Sequence, residues 1–210
     1  MQLFNKGAIK KTFVHTWYIY PLLAGLVTVI WLWAFYAYHQ PSKHQLLNLF
    51  FSANVKNTKF VDKIMTNYDR ENLRQVSTSG MLPTASGYSQ KITTAFTDSD
   101  LLILDVETID FYQTVLDQLL FTITEEAIEQ YLPGEHEYYT YTKDEQTYTY
   151  GVLVKRKGEE CTLQKYMDFD ELRDYYICVS SSSVNAGILR SKANKPYDNA
   201  LTFMNYLLEL

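Results

Sequence analysis

The segment Leu101–Val106 reads LLILDV and is the clearest candidate for a buried strand in this chain. Its apolar residues follow one another without the polar alternation of a strand that has one face in water. The segment therefore predicts a central strand that is covered on both faces. Such strands are typical of sheets that carry helices on both sides.

Two further strands and two helices are predicted upstream of this segment. Leu46–Val55 has an apolar centre suited to burial, and Leu73–Met81 alternates weakly. A helix is predicted over Thr58–Tyr68 and a shorter one after Ser86, because the apolar residues of each fall on one helical face. Strand, helix, strand, helix, strand is the pattern of a mostly parallel sheet covered by helices, which predicts an α/β fold.

The pattern changes downstream of Gly134. Glu137–Thr142 and Thr147–Lys155 alternate with period two around a polar turn, which predicts a tyrosine-rich β-hairpin. The other predicted elements are helices at Phe111–Phe121 and from Thr124, a strand at Tyr175–Ser180 and a final helix at Asp198–Leu210.

The segment Trp17–Tyr38 contains 22 residues and no charge. A helix of about 20 apolar residues spans a bilayer core of about 30 Å. Aromatic residues gather at both ends of the segment, and it is longer than the apolar region of a cleaved signal peptide, so a retained anchor is expected. Lys6, Lys10 and Lys11 precede it, which predicts a cytoplasmic N-terminus and an extracellular remainder.

The chain is accordingly divided into four parts. They are a cytoplasmic tail (1–16), a single transmembrane helix (17–38), a linker (39–45) and one extracytoplasmic α/β domain (46–210). The residues after the anchor carry a formal charge of −8, because all 24 acidic residues but only 16 of the 19 basic ones follow it. This charge argues against nucleic acid and against anionic lipid surfaces as partners.

The predicted hairpin offers a candidate binding surface of four tyrosines. Tyr139 and Tyr141 share one face of the first strand, and Tyr148 and Tyr150 share one face of the second. Tyrosine rings stack on sugars and are enriched at protein interfaces. Cross-strand packing within the sheet explains the same pattern, so both interpretations stand at this point.

A serine run after the strand at Tyr175–Ser180 is a second candidate. Ser181, Ser182 and Ser183, followed by Asn185, present hydroxyl and amide groups that could hold a small anion or a polar solute. A solvated turn that caps the next element is the alternative.

Five acidic residues surround the LLILDV strand, but they do not predict a metal site. Asp98 and Asp100 precede the strand, whereas Asp105 and Glu107 end it, so the two groups are roughly 15–20 Å apart at about 3.3 Å per residue. Turn formation and helix capping explain them better, as they do Asp110. The four histidines lack zinc-type spacing and no nucleophile has a base partner, so no metal, no cofactor and no catalytic set are expected.

Cys161 and Cys178 are the two cysteines of the chain. Outside the cell such a pair can form a disulfide. Cys178 lies in the apolar run YYICV, so a buried free thiol is the alternative for it.

Three segments resemble the extracytoplasmic solute-binding proteins that serve ABC transporters. They are KITTAFTDSDLLILDV (Lys91–Val106), YYICVSSSSVNAG (Tyr175–Gly187) and DNALTFMNYLLEL (Asp198–Leu210). Over residues 46–210 the chain is similar to a reduced, membrane-anchored relative of this family, of the kind found in Gram-positive bacteria. Full-length members have two lobes of similar size, whereas here the second lobe would be little more than the hairpin and its flanks.

These observations predict a non-enzymatic, single-pass membrane protein with an extracytoplasmic binding domain. The favoured role is that of an accessory subunit held beside a membrane protein, such as a transporter or another envelope complex. The alternative is a membrane-tethered receptor for a small solute. A cavity of a few hundred Å³ with convergent polar groups would favour the receptor, and a flat exposed patch would favour the accessory subunit.

Overall fold

A computed structural model describes residues 17–66, 68, 72–190 and 198–210. The chain divides into two compact units, whose described parts are residues 17–40 and the described residues from Pro41 onward. The predicted cytoplasmic tail, with Lys6, Lys10 and Lys11, lies outside the described residues.

The first unit consists of helix α1, Ile19–His39, in which no side chain is buried. By length and composition α1 can cross a membrane, a property that signal sequences near an N-terminus share. Pro21 lies in its first turn, where a missing N–H removes no helical hydrogen bond. The hydroxyl of Thr28 donates to the Ala24 carbonyl over 2.8 Å, so this polar group needs no partner outside the helix.

The described strands of the second unit are β1 (Leu46–Phe51), β2 (Asn54–Val55), β3 (Gln75–Gly80), β4 (Leu101–Asp105), β5 (Tyr138–Lys143), β6 (Gln146–Lys155), β7 (Met167–Asp168) and β8 (Tyr175–Val179). Six of them form one mixed sheet in the order β3-β1-β4-β8-β6-β5, and β2 and β7 form a separate small pair. Strand β1 pairs in parallel with β3 and with β4. The other three pairings of the sheet are antiparallel.

The expectation of a mostly parallel sheet is therefore wrong. The parallel part stops at β4, because β8 runs back beside it in the opposite direction. The hairpin β5–β6 then extends the antiparallel part, since its two arms are joined by the tight turn at Asp144 and Glu145. Both turn residues have positive φ, 51° and 64°, as two-residue hairpin turns of this hand require.

Helices cover both faces of the sheet. They are α2 (Lys59–Met65), α3 (Tyr88–Asp98), α4 (Val106–Phe111), α5 (Leu116–Leu119), α6 (Glu125–Tyr131) and α7 (Asn199–Leu208). The helix predicted from Thr124 is α6, and the Thr124 side chain caps it by accepting a hydrogen bond from the Ala127 N–H. The single helix predicted at Phe111–Phe121 is instead split between α4, a short 3₁₀ turn and α5, since the chain leaves the α conformation at Tyr112.

The core consists of two apolar layers, one on each side of the sheet. All five residues of β4 are buried, and its side chains alternate between the layers: Leu101 and Ile103 face the first, and Leu102 and Leu104 the second. The prediction that this strand is covered on both faces is confirmed. Full burial of each such leucine stabilises the fold by about 1.5–3 kcal/mol.

Candidate functional site

A cavity of about 250 Å³ lies at the carboxyl end of strand β4. Open sheets of this kind bind ligands at the carboxyl ends of their parallel strands. The polar and aromatic side chains in its wall include Tyr88, Asp105, Glu107, Thr108, Phe111 and Arg173. They come from α3, from the β4–α4 junction and from the loop before β8.

Asp105 ends β4 and begins α4, and its carboxylate is completely buried. One carboxylate oxygen accepts a hydrogen bond from the Thr108 N–H over 3.1 Å, which caps the helix. The other accepts from the Thr108 hydroxyl over 2.6 Å. The capping role that the sequence predicts for this residue is thus confirmed, and the same bonds hold its carboxylate at the cavity wall.

Arg173 binds three carboxylates at once. Its guanidinium lies 2.9 Å from Asp105, 2.8 Å from Glu107 and 3.3 Å from Asp170. Burial opposes the charge of this group, but the neighbouring carboxylates of Asp105 and Glu107 outweigh that effect and raise the pKa of Arg173 above its ordinary value. The guanidinium is therefore a permanent cation within the wall.

The direction of β8 places Arg173 at this edge of the sheet. Tyr175, the first residue of β8, pairs with Asp105, the last residue of β4. The loop that precedes β8 consequently meets the carboxyl end of β4, and the Val106 N–H donates to the Asp174 carbonyl over 3.0 Å. A parallel β8 would have placed this loop at the opposite edge.

A buried lysine lies behind the same loop. Lys155 is only 2% exposed, and its ammonium group is 3.2 Å from the Asp170 carbonyl and 3.5 Å from the Arg173 carbonyl. It also lies over the ring of Tyr175, 5.9 Å from the ring centre. These contacts hold the backbone on either side of the turn that carries Arg173.

The facing wall is formed by Tyr88 on α3. Its hydroxyl shares hydrogen bonds with the hydroxyls of Ser52, which follows β1, and Thr108, which lies on α4. Burial raises the pKa of Tyr88 to about 12, so the phenol is neutral at physiological pH. The ends of β1 and β4 are thereby joined through one neutral hydroxyl network.

The rim of the cavity is aromatic and exposed. Phe111 is 79% exposed, and its ring packs edge-on against that of Tyr112. Among the described residues from 41 onward, Phe111 and Leu172 are the large apolar side chains that remain in water. Phe111 itself lines the cavity, and Leu172 directly precedes Arg173, which also lines it. Both exposed side chains therefore belong to segments that form the cavity wall.

The four hairpin tyrosines lie on the second core layer. Tyr139 and Tyr150 are buried in it, and Tyr141 and Tyr148 pack against it half-buried. The Tyr139 hydroxyl donates to Asp110 over 2.6 Å. Residues 138–155 therefore present no row of fully exposed tyrosines, and cross-strand packing accounts for the pattern.

A bulge explains how β6 serves both layers. Tyr139 pairs with Gly151 and Thr140 with Thr149, so Tyr150 is an extra residue in the ladder. Tyr148 and Tyr150 consequently face the second layer, whereas Val152 faces the first.

The serine run bonds to the protein itself, at the edge where β4 begins. The hydroxyl of Ser181 donates to the Gln118 carbonyl and that of Ser182 to the Phe96 carbonyl, over 2.6 and 2.8 Å. Ser182 and Ser183 do line a second, polar cavity of about 280 Å³. These residues are thus separated from the first cavity by the length of β4.

Ser183 and Asn185 belong to a buried polar network around Asp100. The Asp100 carboxylate accepts from the Ser183 hydroxyl over 2.6 Å, from the Asn185 amide over 3.1 Å and from the Asn48 N–H over 2.8 Å. The Asn199 amide lies beside Asn185 and donates to the carbonyls of residues 44 and 72, over 2.7 and 3.1 Å. This Asp100 network joins five separated segments of the chain, and its side chains are engaged with one another.

Both cysteines are free thiols, so the disulfide that the sequence left open is not formed. Cys178 is fully buried in the second core layer, whereas Cys161 packs against the first. The sheet lies between the two layers and keeps the sulfur atoms apart. Burial raises the pKa of both thiols.

In the described part of the chain, no three His, Cys, Asp or Glu side chains converge as a metal ion would require. Sequence reasoning assigned Asp105 and Glu107 to capping and turns and did not identify Arg173, Phe111, Tyr88 or Lys155. The sequence does contain one signal for Arg173, because it lies within the acidic run DFDELRD at 168–174. No family model, no curated protein and no solved structure matches this chain.

Proposed function

We propose that this protein is a single-pass membrane protein whose domain outside the cell binds a small polar solute at the carboxyl end of β4. The observation that carries the proposal is the cavity of about 250 Å³ with a fixed pair of opposite charges, Asp105 and Arg173, in its wall. Small-molecule sites are concave and combine apolar surface with a few convergent polar groups.

The fixed geometry of the wall supports binding over a merely structural role. Asp105 is held by Thr108, Arg173 by three carboxylates, and Tyr88 by two hydroxyls. Groups that are already ordered lose little entropy when a ligand arrives. The exposed ring of Phe111 at the rim would be covered by such a ligand, which adds apolar burial to the polar contacts.

The proposed activity is binding without chemistry. The carboxylates that line this cavity, Asp105 and Glu107, are ion-paired with Arg173, and no histidine, cysteine or lysine lies in the lining to act as their catalytic partner. The resemblance to extracytoplasmic solute-binding proteins points in the same direction.

The membrane placement is proposed with the N-terminus in the cytoplasm, and it has a direct test. In a background without native thiols (Cys161→Ser, Cys178→Ala), Ser42→Cys should react with an impermeant thiol reagent on intact cells. Asn5→Cys should react only after permeabilisation, because the three lysines before α1 favour the inner side. Labelling of Asn5→Cys on intact cells contradicts the placement.

The test of binding uses the full-length protein in mild detergent and a solute set that covers amines, sugars, carboxylates and neutral polar compounds. A solute that binds the folded state raises its melting temperature, by an amount that grows with concentration over Kd. Ser89→Trp fills the cavity from its α3 wall, so it should abolish the shift. Gln90→Trp, on the next residue and outside the cavity, is the matched control and should keep it. A shift that survives Ser89→Trp, or no shift with any solute class, contradicts the proposal.

An accessory subunit remains the second candidate, favoured by one observation. Leu172 is 71% exposed, and a protein partner would cover it. Leu172→Ser should then remove a membrane protein that co-purifies with the chain, while the melting temperature stays nearly the same. Unchanged co-purification rejects this surface as the contact.

A further inference from the structure

The wall of the cavity holds more negative than positive charge. Asp105, Glu107 and Arg173 line the cavity with a formal charge of −1, and Asp170, which pairs with the same guanidinium from outside the lining, brings this group of four to −2. Lys155, buried behind the loop, reduces the excess to −1 but does not cancel it. The cavity is therefore acidic even though it contains an arginine.

The arginine is not free to receive an anionic ligand. Its side chain is only 18% exposed, and each of its three nitrogens already lies within 3.3 Å of a carboxylate oxygen. An anion at this site would have to displace one of these carboxylates or lie beside them. Either arrangement is opposed by like-charge repulsion in a partly desolvated wall.

A cation meets the opposite situation. The Glu107 side chain is 66% exposed at the cavity, so its carboxylate can accept from a ligand while it holds Arg173. The ring of Phe111 is exposed at the rim, and Tyr112 also lines the cavity. Aromatic faces attract organic cations, most strongly where water is excluded.

The size of the cavity limits the ligand further. Its volume of about 250 Å³ lies below the 300–1,000 Å³ that is common for drug-sized molecules. A ligand that fills it is consequently small, with one end that can donate N–H bonds and a short apolar part for the aromatic rim.

We infer that the solute is a small organic cation that carries an ammonium or guanidinium group. Glu107 accepts hydrogen bonds from this group at the acidic wall, and the apolar part of the solute packs on Phe111. This inference rests on the proposed function, because it names the chemical class of the solute in the same cavity. No covalent step is involved.

The experiment compares three probes with the same four-carbon chain and different ends: 1,4-diaminobutane, 1,4-butanediol and succinate. Calorimetric titration of the full-length protein in neutral detergent should detect binding of the diamine, and weaker or no binding of the diol and the diacid. Higher salt should lower the affinity for the diamine, because salt screens the attraction between its charge and the acidic wall.

Glu107→Gln removes one carboxylate at nearly constant shape and should weaken diamine binding by about tenfold or more, as expected for a lost charge-assisted hydrogen bond. Glu159→Gln is the matched control. Glu159 is an exposed carboxylate that pairs with Arg156 outside this cavity, so its replacement should leave the affinity unchanged.

Two outcomes overturn the inference and separate it from the proposed function. If the diol or the diacid binds at least as tightly as the diamine and Ser89→Trp abolishes that binding, the cavity binds solutes but not cations. If the diamine does not bind at millimolar concentration, or Glu107→Gln leaves its affinity unchanged, the cationic class is rejected. The proposed function itself fails only if no solute of any class shows binding that Ser89→Trp abolishes.

Discussion

Arg173 donates a hydrogen bond over 2.9 Å to Asp105, whose carboxylate is completely shielded from water. The bond joins the loop before β8 to the junction of β4 and α4. Because a buried carboxylate without a cation is strongly unfavourable, this single contact couples the stability of the domain to the shape of the cavity.

Replacement of Arg173 tests that coupling. Arg173→Met should lower the free energy of unfolding by about 3–5 kcal/mol, since the variant leaves the Asp105 carboxylate buried without its partner. Arg156→Met is the matched control, because Arg156 pairs with Glu137 and Glu159 on the exposed surface. The control should cost about 1 kcal/mol or less. Urea denaturation followed by circular dichroism measures both, and equal losses would show that the Asp105 contact is no stronger than a surface ion pair.

The burial of the hairpin tyrosines leads to a second prediction. Tyr150→Ser should destabilise the domain by about 3 kcal/mol or more, because Tyr150 is 2% exposed and its loss leaves a cavity in the second core layer. Tyr148→Ser should cost clearly less, since Tyr148 is half-buried at the edge of that layer. Thermal melts of the two variants measure the two losses of stability. A smaller loss for Tyr150 than for Tyr148 would contradict the observed difference in burial between them.

The two free thiols should differ in reactivity. Cys178 is fully buried and Cys161 half-buried, so a maleimide should label Cys161 slowly in the native protein and Cys178 only after unfolding. Mass spectrometry of labelled peptides measures both rates, and in Cys161→Ser any label that remains is on Cys178. An intact protein lighter by two hydrogen atoms would indicate a disulfide. That result, or fast labelling of Cys178 in the native protein, would be incompatible with thiols on opposite sides of the sheet.

Buried tyrosines make the domain sensitive to alkali. Burial raises the pKa of Tyr88 and of Tyr175 to about 12 from the usual 10.0. Between these values the unfolded chain has lost protons that the folded domain keeps, so stability is complete below pH 10 and falls as the pH rises to 12. Each tyrosine contributes a slope of about 1.4 kcal/mol per pH unit.

Tyrosinate absorbance and unfolding midpoints, measured across this pH range, test the effect. Tyr88→Phe should reduce the slope by the share of one tyrosine. Tyr18→Phe is the control, because Tyr18 is an exposed residue next to α1 and outside the second unit, and it should leave the slope unchanged. A slope that is the same in the parent protein and both variants would show that Tyr88 ionises freely in the folded state.

The sequence predicts the parallel half of the fold and fails at the direction of one strand. The unbroken apolar run Leu101–Leu104 requires burial on both faces, and the structure confirms it. The apolar run YYICV, in contrast, is the same whichever way β8 runs. A parallel β8 would bring the serine run to the carboxyl edge, whereas the antiparallel β8 brings Arg173 there. Strand direction depends on long-range pairing, which local periodicity does not record.

The hairpin shows a similar division. Alternation correctly groups Tyr139 with Tyr141 and Tyr148 with Tyr150, but it does not say whether helices cover that face. The helices that contact the hairpin, α4 and α5, have only six and four residues, so their positions depend on the connections between them.

The Asp100 network has a consequence for the order of events during biosynthesis. Asn199 supplies the hydrogen bond to the carbonyl of His44, which lies 155 residues earlier in the chain. A nascent polypeptide cannot close this contact until translation has passed residue 199, whereas α1 leaves the ribosome long before. The hydrophobic helix is therefore available for membrane insertion while the domain behind it is still incompletely folded.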